Sequence, residues 1–268
     1  MNQTLVVRDI DNGPDASTRR YWFADDPFMT HFFNAVSSTF PEGERFFIRA
    51  VRRYADTAPE VDADTVQRFV RQEGHHSRAH DSHIHLLEAQ GFTGVLRMNR
   101  AMGIVMRWLN ERAPRLSLAL TVAIEHVTAV FAHEFLRDPD HWLGPMVPEM
   151  QRLWRWHAVE ESEHKAVAFD VYKANGLPLW LRRAAMIDAT LGFLAEVFVR
   201  HSYLLIKDRQ FRPRVLATGF RALFGRGGYL RRMAPHISPF YRADFHPNDV
   251  DDRALLEQRC RSWGLSLP

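Results

Sequence analysis

Two Glu-x-x-His motifs lie on the apolar faces of predicted helices, and their placement constrains the fold more than any other feature. Glu73 and His76 form one motif, and Glu161 and His164 form the other. Residues three positions apart lie on the same side of a helix, so each pair can act together. A carboxylate buried on an apolar face is costly unless it is paired or binds a cation. The motifs therefore predict helices that enclose a polar or metal-binding centre.

Two further glutamates occupy apolar helix faces. Glu44 shares its face with Phe40, Phe47, Ile48 and Val51. Glu125 shares its face with Leu118, Thr121, Val122, Ala129 and Ala132. One glutamate from each of two helices, with Glu-x-x-His from each of two others, is the ligand pattern of a four-helix bundle that holds two iron or manganese ions. Mixed carboxylate and imidazole ligands suit these metals.

Histidines next to the motifs extend the predicted ligand set. His157 lies one turn before Glu161 and is a seventh candidate ligand. His80, one turn after His76, is either an eighth ligand or a hydrogen-bond partner of a ligand. The full prediction is a metal site formed by Glu44, Glu73, His76, Glu125, His157, Glu161 and His164, with His80 left open. We expect the neighbouring histidines to be exposed or structural (His75, His83 and His85), and expect Glu160 and Glu163 to turn away from the apolar stripe.

Hydrophobic residues recur with a helical period, and no stretch shows sustained alternation, so the sequence predicts an all-α fold. Predicted helices span about 27–37, 40–56, 62–90, 95–112, 114–136, 149–175 and 178–208. Their lengths and short connections favour a four-helix bundle with additional helices. We divide the chain into an irregular lead-in at 1–25, a helical di-metal bundle at 26–210, and an irregular, basic C-terminal extension at 211–268, packed on or beside the bundle.

The composition supports a folded enzyme and excludes several classes of chemistry. With 46% hydrophobic residues, the 268-residue chain is too apolar to be mainly disordered. Its one cysteine, Cys260, lies in a polar tail and cannot form an internal disulfide. No Gly-x-Ser-x-Gly motif occurs, and His133-Glu134 lacks the second histidine of a zinc hydrolase motif. Without an apolar segment in the first twenty residues, we expect a cytoplasmic protein.

The ligand pattern resembles that of the ferritin-like di-iron carboxylate superfamily over about residues 40–175. The additional histidine is similar to the arylamine N-oxygenases, whose di-iron centre uses three histidines and four glutamates. Three segments also resemble a bacterial family of predicted metal-dependent hydrolases: 40–47 (FPEGERFF), 72–80 (QEGHHSRAH) and 156–165 (WHAVEESEHK). The first resemblance implies a ferritin-like bundle that reacts with O₂, and the second implies hydrolysis.

These observations favour a di-iron oxygenase or oxidase that uses O₂ and an unidentified electron donor on a small, apolar or aromatic substrate. Manganese or zinc could replace iron. A dinuclear hydrolase that activates water is the alternative, followed by a metal-binding protein without catalysis. The apolar substrate is inferred from aromatic residues expected around the site, namely Phe40, Phe47, Phe69, Trp154 and Phe169.

Residues 197–243 carry ten basic residues against one acidic residue, Asp208. A solvated face with buried apolar residues is the simplest interpretation. Peripheral contact with a membrane comes second, because cationic amphipathic segments bind lipid headgroups. Nucleic acid ranks below both. The charged residues within 187–206 argue against a transmembrane helix, and a homodimer remains open.

Overall fold

The computed structural model describes residues 5–9 and 13–268. Within them it is all-α, as predicted, with a single isolated β-bridge between Phe23 and Met146. The helices are α1 (Pro27–Ala55), α2 (Ala63–Ala89), α3 (Gly94–Arg112), α4 (Pro114–Arg137), α5 (Pro139–Trp142), α6 (Pro148–His164), α7 (Val167–Ala174), α8 (Leu179–Lys207), α9 (Pro213–Phe224), α10 (Tyr229–Ile237) and α11 (Arg253–Trp263). Two short 3₁₀ helices, Ser238–Tyr241 and Pro247–Asp249, lie between α10 and α11.

The first long helix begins as the sequence predicts but does not stop where predicted. The side chain of Asp26 accepts hydrogen bonds from the backbone N–H groups of Phe28 and Met29 and caps α1. The predicted boundary at Phe40-Pro41 is wrong, because α1 continues through Pro41 as one helix of 29 residues. Proline inside a helix removes one hydrogen bond. Both halves of α1 are buried on either side of Pro41, so tertiary packing holds the helix together across it.

The predicted helix at 149–175 is two helices. It breaks after His164, and α7 begins at Val167. At the break the Lys165 ammonium donates to the carbonyl of Val250 and lies 2.9 Å from an Asp252 carboxylate oxygen. The C-terminal part of the chain therefore packs directly against the end of α6.

The centre of the molecule is formed by four helices, α1, α2, α4 and α6, and the other helices flank them. Helix α1 packs along α2, and α4 packs along α6 and α8. Helix α3 lies against α1, while α10 and α11 lie against α4 and α6. Cys260 on α11 is fully buried with Leu136 and Val159, so the expectation that it lies in a polar tail is wrong.

Two helices are long and apolar enough to cross a membrane by length and composition alone. Helix α4 is mostly buried, as expected for a core helix. Only 33% of the most apolar window of α8 is buried inside the protein. One face of α8 packs on α4 and α1, and the opposite face is left uncovered.

Candidate metal centre

The seven predicted ligands converge between α1, α2, α4 and α6, and we call this cluster the ligand centre. Each of the seven residues is at most 3% exposed. His164 Nε2 lies 3.0 Å from Glu73 Oε1 and 3.6 Å from both Glu125 Oε2 and Glu161 Oε2. His157 Nε2 lies 3.0 Å from Glu161 Oε1 and 3.9 Å from Glu44 Oε1. Residues from four helices thus face one another across a few ångströms.

Overlapping groups of three side chains could each hold a metal ion. The groups have ligand atoms within 4.8 Å of one another and are Glu44/Glu73/His76, His76/His157/Glu161, Glu73/Glu161/His164 and Glu44/His80/His157. Glu73 and Glu161 each lie close enough to act electrostatically on both Glu44 and Glu125. They therefore occupy the middle of the ligand centre, with Glu44 toward one end and Glu125 beside His164 toward the other.

Most of the oxygen and nitrogen atoms that could bind a metal in the ligand centre have no hydrogen-bond partner. All six carboxylate oxygens of Glu44, Glu73 and Glu125 are buried and unpaired. Glu161 Oε2, His76 Nδ1 and His164 Nε2 are in the same state. Buried polar atoms in native proteins are nearly always satisfied, so unpaired donors this concentrated are what a metal site requires.

Electrostatics lead to the same conclusion. Burial, and then the charge of Glu73, raise the pKa of Glu44 and of Glu125 well above the usual value. Burial also acts to raise the pKa of Glu161, but His164 and His157 outweigh it and hold that pKa well below its ordinary range. Four carboxylates cannot all ionise at this spacing without compensating cations. Divalent metal ions fit this set of donors.

Two histidines have their outer ring nitrogen already engaged. His76 Nε2 lies 3.0 Å from a carboxylate oxygen of Glu160. His164 Nδ1 lies 3.0 Å from the side-chain oxygen of Gln72, whose amide nitrogen donates to Glu163. Metal-binding histidines typically donate their other N–H group in this way.

The inner nitrogens, His76 Nδ1 and His164 Nε2, face the carboxylates. Burial acts to lower both pKa values, but Glu160 and Glu73 raise the pKa of His76 to about 10, and Glu161 and Glu73 raise that of His164 well above its usual value. A metal ion bound at these nitrogens would therefore replace a proton.

A buried hydrogen-bond chain sets the tautomer of the third histidine, and it starts at Trp22. The Trp22 indole can only donate, and it donates to Asn34 Oδ1 at 2.9 Å. His83 Nε2 donates to the same oxygen at 2.9 Å. Burial lowers the pKa of His83 to about 3, so His83 is neutral and its Nδ1 accepts from the Ser37 hydroxyl at 2.7 Å.

The chain continues from Ser37 into the ligand centre. Because the Ser37 proton is used, its oxygen accepts from His80 Nδ1 at 2.7 Å. Burial, and then the charge of His157, lower the pKa of His80 well below its usual value, so His80 Nε2 accepts from His157 Nδ1 at 2.7 Å. His157 Nε2 therefore carries no proton, and its lone pair faces a Glu161 oxygen at 3.0 Å. Two acceptors at this distance need a cation beside them.

A pocket of about 640 Å³ reaches the ligand centre from outside, and we call it the apolar pocket. Glu44 lies at its inner end, and its walls come from α1, α3, α4 and α8. Most of its walls are apolar side chains, including Phe40, Phe46, Phe47, Met98, Met102, Met106, Leu109, Leu120, Ile124 and Phe193. Such a pocket suits a small, largely apolar ligand.

A family model described as predicted metal-dependent hydrolase matches residues 6–251. The chain belongs to this family. The resemblance predicted from the three sequence segments is thereby confirmed. No curated protein and no solved structure matches the chain. The ferritin-like kinship and the link to N-oxygenases stay predictions.

In this member of the hydrolase family, several polar residues are buried where the sequence does not predict it. Glu160 and Glu163 are at most 5% exposed, although they lie off the apolar stripe of their helix. The lead-in covers them: Arg8 donates its backbone N–H to Glu160 at 2.8 Å, and its guanidinium pairs with Glu163 at 2.5 Å. The spacing of three residues between Glu160 and Glu163 is the only sequence signal that α6 has a second polar face.

The histidine-rich part of α2 is more deeply buried than the sequence predicts. His83 is fully buried in the hydrogen-bond chain from Trp22, so of the two expected roles, exposed or structural, it has the structural one. His75 is half-buried, and His85 is exposed as predicted. Both ring nitrogens of His80 are engaged, which favours the role of partner to His157 over that of an eighth ligand.

Of the five aromatic residues expected around a substrate, two line the apolar pocket, Phe40 and Phe47. Phe69 and Trp154 lie outside the pocket but against residues of the ligand centre, as expected of residues around the site. Phe69 contacts the ring of His164, and Trp154 contacts those of Phe40 and His80. Phe169 packs on Phe245 and His246. The residues missed by sequence reasoning are the three methionines of α3, because helical spacing alone does not distinguish a pocket wall from a core.

One further group, His133, Glu134 and His236, lies outside the ligand centre. Glu134 is already neutralised, since Arg137 lies 2.7 Å and Arg232 3.0 Å from its carboxylate oxygens. Its surroundings therefore disfavour a metal ion.

Proposed function

We propose that this protein is a metal-dependent enzyme that holds two metal ions in the ligand centre and acts on a small apolar molecule in the apolar pocket. The carrying observation is the set of buried donors without hydrogen-bond partners in Glu44, Glu73, Glu125, His76 and His164. The pocket adds the substrate class, because it is mostly apolar and ends at Glu44.

The seven predicted ligands would hold the metals, with Glu73 and Glu161 between the two ends of the set. Bound divalent ions would supply Lewis acidity for hydrolysis or, as iron, redox chemistry with O₂. The chain itself contributes three things. His80 holds the His157 Nδ1 proton, Glu160 and Gln72 orient the other two histidines, and the aromatic and methionine side chains exclude water from the substrate.

Hydrolysis is the reaction we place first, because the family to which the chain belongs is described by it. The test is release of product from a chain-length series of aliphatic p-nitrophenyl esters under anaerobic conditions. Protein reconstituted with zinc, manganese or iron is compared with metal-free protein. We expect metal-dependent cleavage that proceeds without O₂ and improves with the apolar chain.

O₂-dependent oxidation is the second candidate, and the donor set favours it. Four carboxylates and three imidazoles without a thiolate suit iron or manganese better than a soft-ligand metal. This reaction requires O₂ and an electron donor. Iron-loaded protein that is reduced anaerobically with dithionite, freed of excess reductant and then exposed to O₂ should consume O₂ and show a change in its absorption spectrum, whereas the zinc form should do neither.

Metal analysis decides the proposal before any substrate is known. Protein purified without chelator should contain about two metal ions per chain, one for each end of the ligand set. Replacing both Glu73 and Glu161 with Gln should abolish this binding, whereas replacing the exposed Glu111 should not. Protein that neither retains nor takes up metal would refute the proposal, and stoichiometric metal without either reaction would indicate binding without catalysis.

A further inference from the structure

Helices α3 and α8 carry large apolar side chains that face outward, and we call this surface the α3–α8 face. On α8 they recur with helical spacing along the side opposite the core. The members are Ile104, Val105 and Trp108 on α3 and Trp180, Ile187, Leu191, Leu194, Phe198 and Val199 on α8, each 45–68% exposed. Contiguous exposed apolar surface of this kind marks an interaction site.

The apolar pocket opens on this face. Val105 of α3 and Val199 of α8 are both exposed and line the pocket. Gly192 and Ala195 of α8 are also exposed and line it. The route from the surface to Glu44 therefore begins among the apolar side chains of the face.

The charge around the face is strongly positive. Helices α3 and α8 together carry six exposed basic residues and two exposed acidic residues, Asp188 and Glu111. A third carboxylate, Glu196, is paired with Arg200 at 3.1 Å.

We propose that the α3–α8 face docks on the surface of an anionic lipid bilayer. Apolar side chains inserted at the headgroup level and arginines against anionic lipids are the two contributions that bind peripheral proteins to membranes. Exposed tryptophans such as Trp108 and Trp180 prefer this interface. A second copy of the chain fits less well, because a twofold interface would set the same basic rim against itself.

Docking also assigns the origin of the substrate, a step that rests on the proposed function. The mouth of the apolar pocket would lie in the lipid interface. A lipid-dissolved molecule could then reach Glu44 without crossing water. The substrate class is accordingly a membrane-soluble, chain-like or aromatic compound rather than a polar metabolite.

The test measures flotation of the full-length protein with vesicles of phosphatidylcholine alone or mixed with phosphatidylglycerol. We expect binding to the mixed vesicles that weakens with salt. The double variant Leu191→Glu/Phe198→Glu should bind more than tenfold more weakly, because two anchors of this size are lost. Arg97→Gln/Arg100→Gln, at exposed arginines one and two turns before Ile104 on α3, should lose roughly fivefold per arginine, on mixed vesicles only.

Matched controls and the oligomeric state separate the outcomes. Val250→Glu/Leu267→Glu makes the same change of charge at residues of similar exposure outside the face, and it should bind as the wild type does. All variants should keep the wild-type thermal midpoint. Absence of wild-type vesicle binding at low salt overturns the proposal, and so does a lipid-free dimer that Leu191→Glu/Phe198→Glu converts to monomer. None of these experiments measures catalysis, so a failure to bind vesicles would leave the proposed function untested.

Discussion

The ligand centre and the α3–α8 face depart in opposite ways from the usual distribution of residues. The centre buries four carboxylates and three imidazoles with many donors unpaired. The face exposes nine large apolar side chains on two helices. Each arrangement is unfavourable for the isolated chain. The difference teaches that the two regions call for different partners, the cation and the lipid surface proposed above.

The interior imbalance is the larger of the two in free energy. An unpaired buried charge costs several kcal/mol after relaxation of the protein. The apolar side chains of the face are in water in the unfolded chain as well, so their exposure changes the free energy of unfolding little. Perturbing the ligand centre should therefore change stability far more than perturbing the face.

Removing the metal should have the largest effect. At a metal concentration about 100 times Kd, each site adds about 2.7 kcal/mol to the free energy of unfolding. For a chain of this size, two sites correspond to a fall in Tm of about 10 °C or more after chelation. The change in Tm is measured by calorimetry before dialysis against a chelator, after dialysis, and again after the metal is restored. An unchanged Tm would remove the contrast between the two regions.

Neutralising one carboxylate should have opposite effects with and without metal. Glu44→Gln should stabilise the metal-free protein by about 1 kcal/mol or more, because burial and then Glu73 raise the pKa of Glu44, and folding must either bury its charge or protonate it at a cost in free energy. The same change should destabilise the metal-loaded protein by removing a ligand. Glu111→Gln on the exposed side of α3 serves as control. If Glu44→Gln changed the free energy of unfolding equally in the metal-free and the metal-loaded protein, Glu44 would not face a metal.

The hydrogen-bond chain behind His157 should matter next. His80→Ala leaves His157 Nδ1 without its acceptor, so we expect metal affinity to fall by about 10–100-fold. Competitive titration against a metal-binding dye measures the change. His85→Ala, at an exposed histidine on the same helix, should leave affinity unaltered. Equal affinities for wild type and His80→Ala would contradict the assigned tautomer.

Buried imidazoles outside the ligand centre should behave as ordinary neutral core groups. Burial lowers the pKa of His201 to about 4, below the value of about 6.5 in the unfolded chain. The unfolded state therefore binds more protons between these values, and this contribution to stability is lost as pH falls through 6.5 toward 4. Urea denaturation of metal-loaded protein at pH 7 and pH 5 should show a loss about 2 kcal/mol smaller in His201→Gln than in wild type. If wild type and His201→Gln lost the same stability between pH 7 and pH 5, His201 would not be neutral in the folded protein.

Blocking the pocket should have the smallest effect on stability and a selective effect on turnover. A Cβ at Gly192 meets no atom within 4 Å, so Gly192→Leu fits while narrowing the entrance. We expect kcat/KM to fall about tenfold or more for bulky apolar substrates, with metal content and Tm unchanged. Ala184→Leu, on an exposed part of α8 away from the pocket, is the matched control. Equal losses in both variants would exclude Gly192 as the entrance.

The all-α class and the shared helix faces of the ligands follow from helical periodicity, and the start of α1 follows from Asp26 and Pro27. The convergence of the seven ligands follows when these faces are combined with the ligand pattern of two-metal helical bundles. The failures have local causes. Pro41 predicts a helix end, but burial on both sides of it keeps α1 continuous. Glu160, Glu163 and Cys260 read as surface residues because the segments that cover them, at residue 8 and on α4 and α6, are distant in sequence.

The sequence by itself determined which carboxylates and imidazoles share a helix face, because that depends only on a period of 3.6 residues. Tertiary structure decided which ring nitrogen of each histidine points inward, since Gln72, His80 and Glu160 must be brought to it from other turns and helices. It also decided that α8 leaves one apolar side uncovered. Periodicity records that a side chain is apolar, but only packing determines whether another helix is there to bury it.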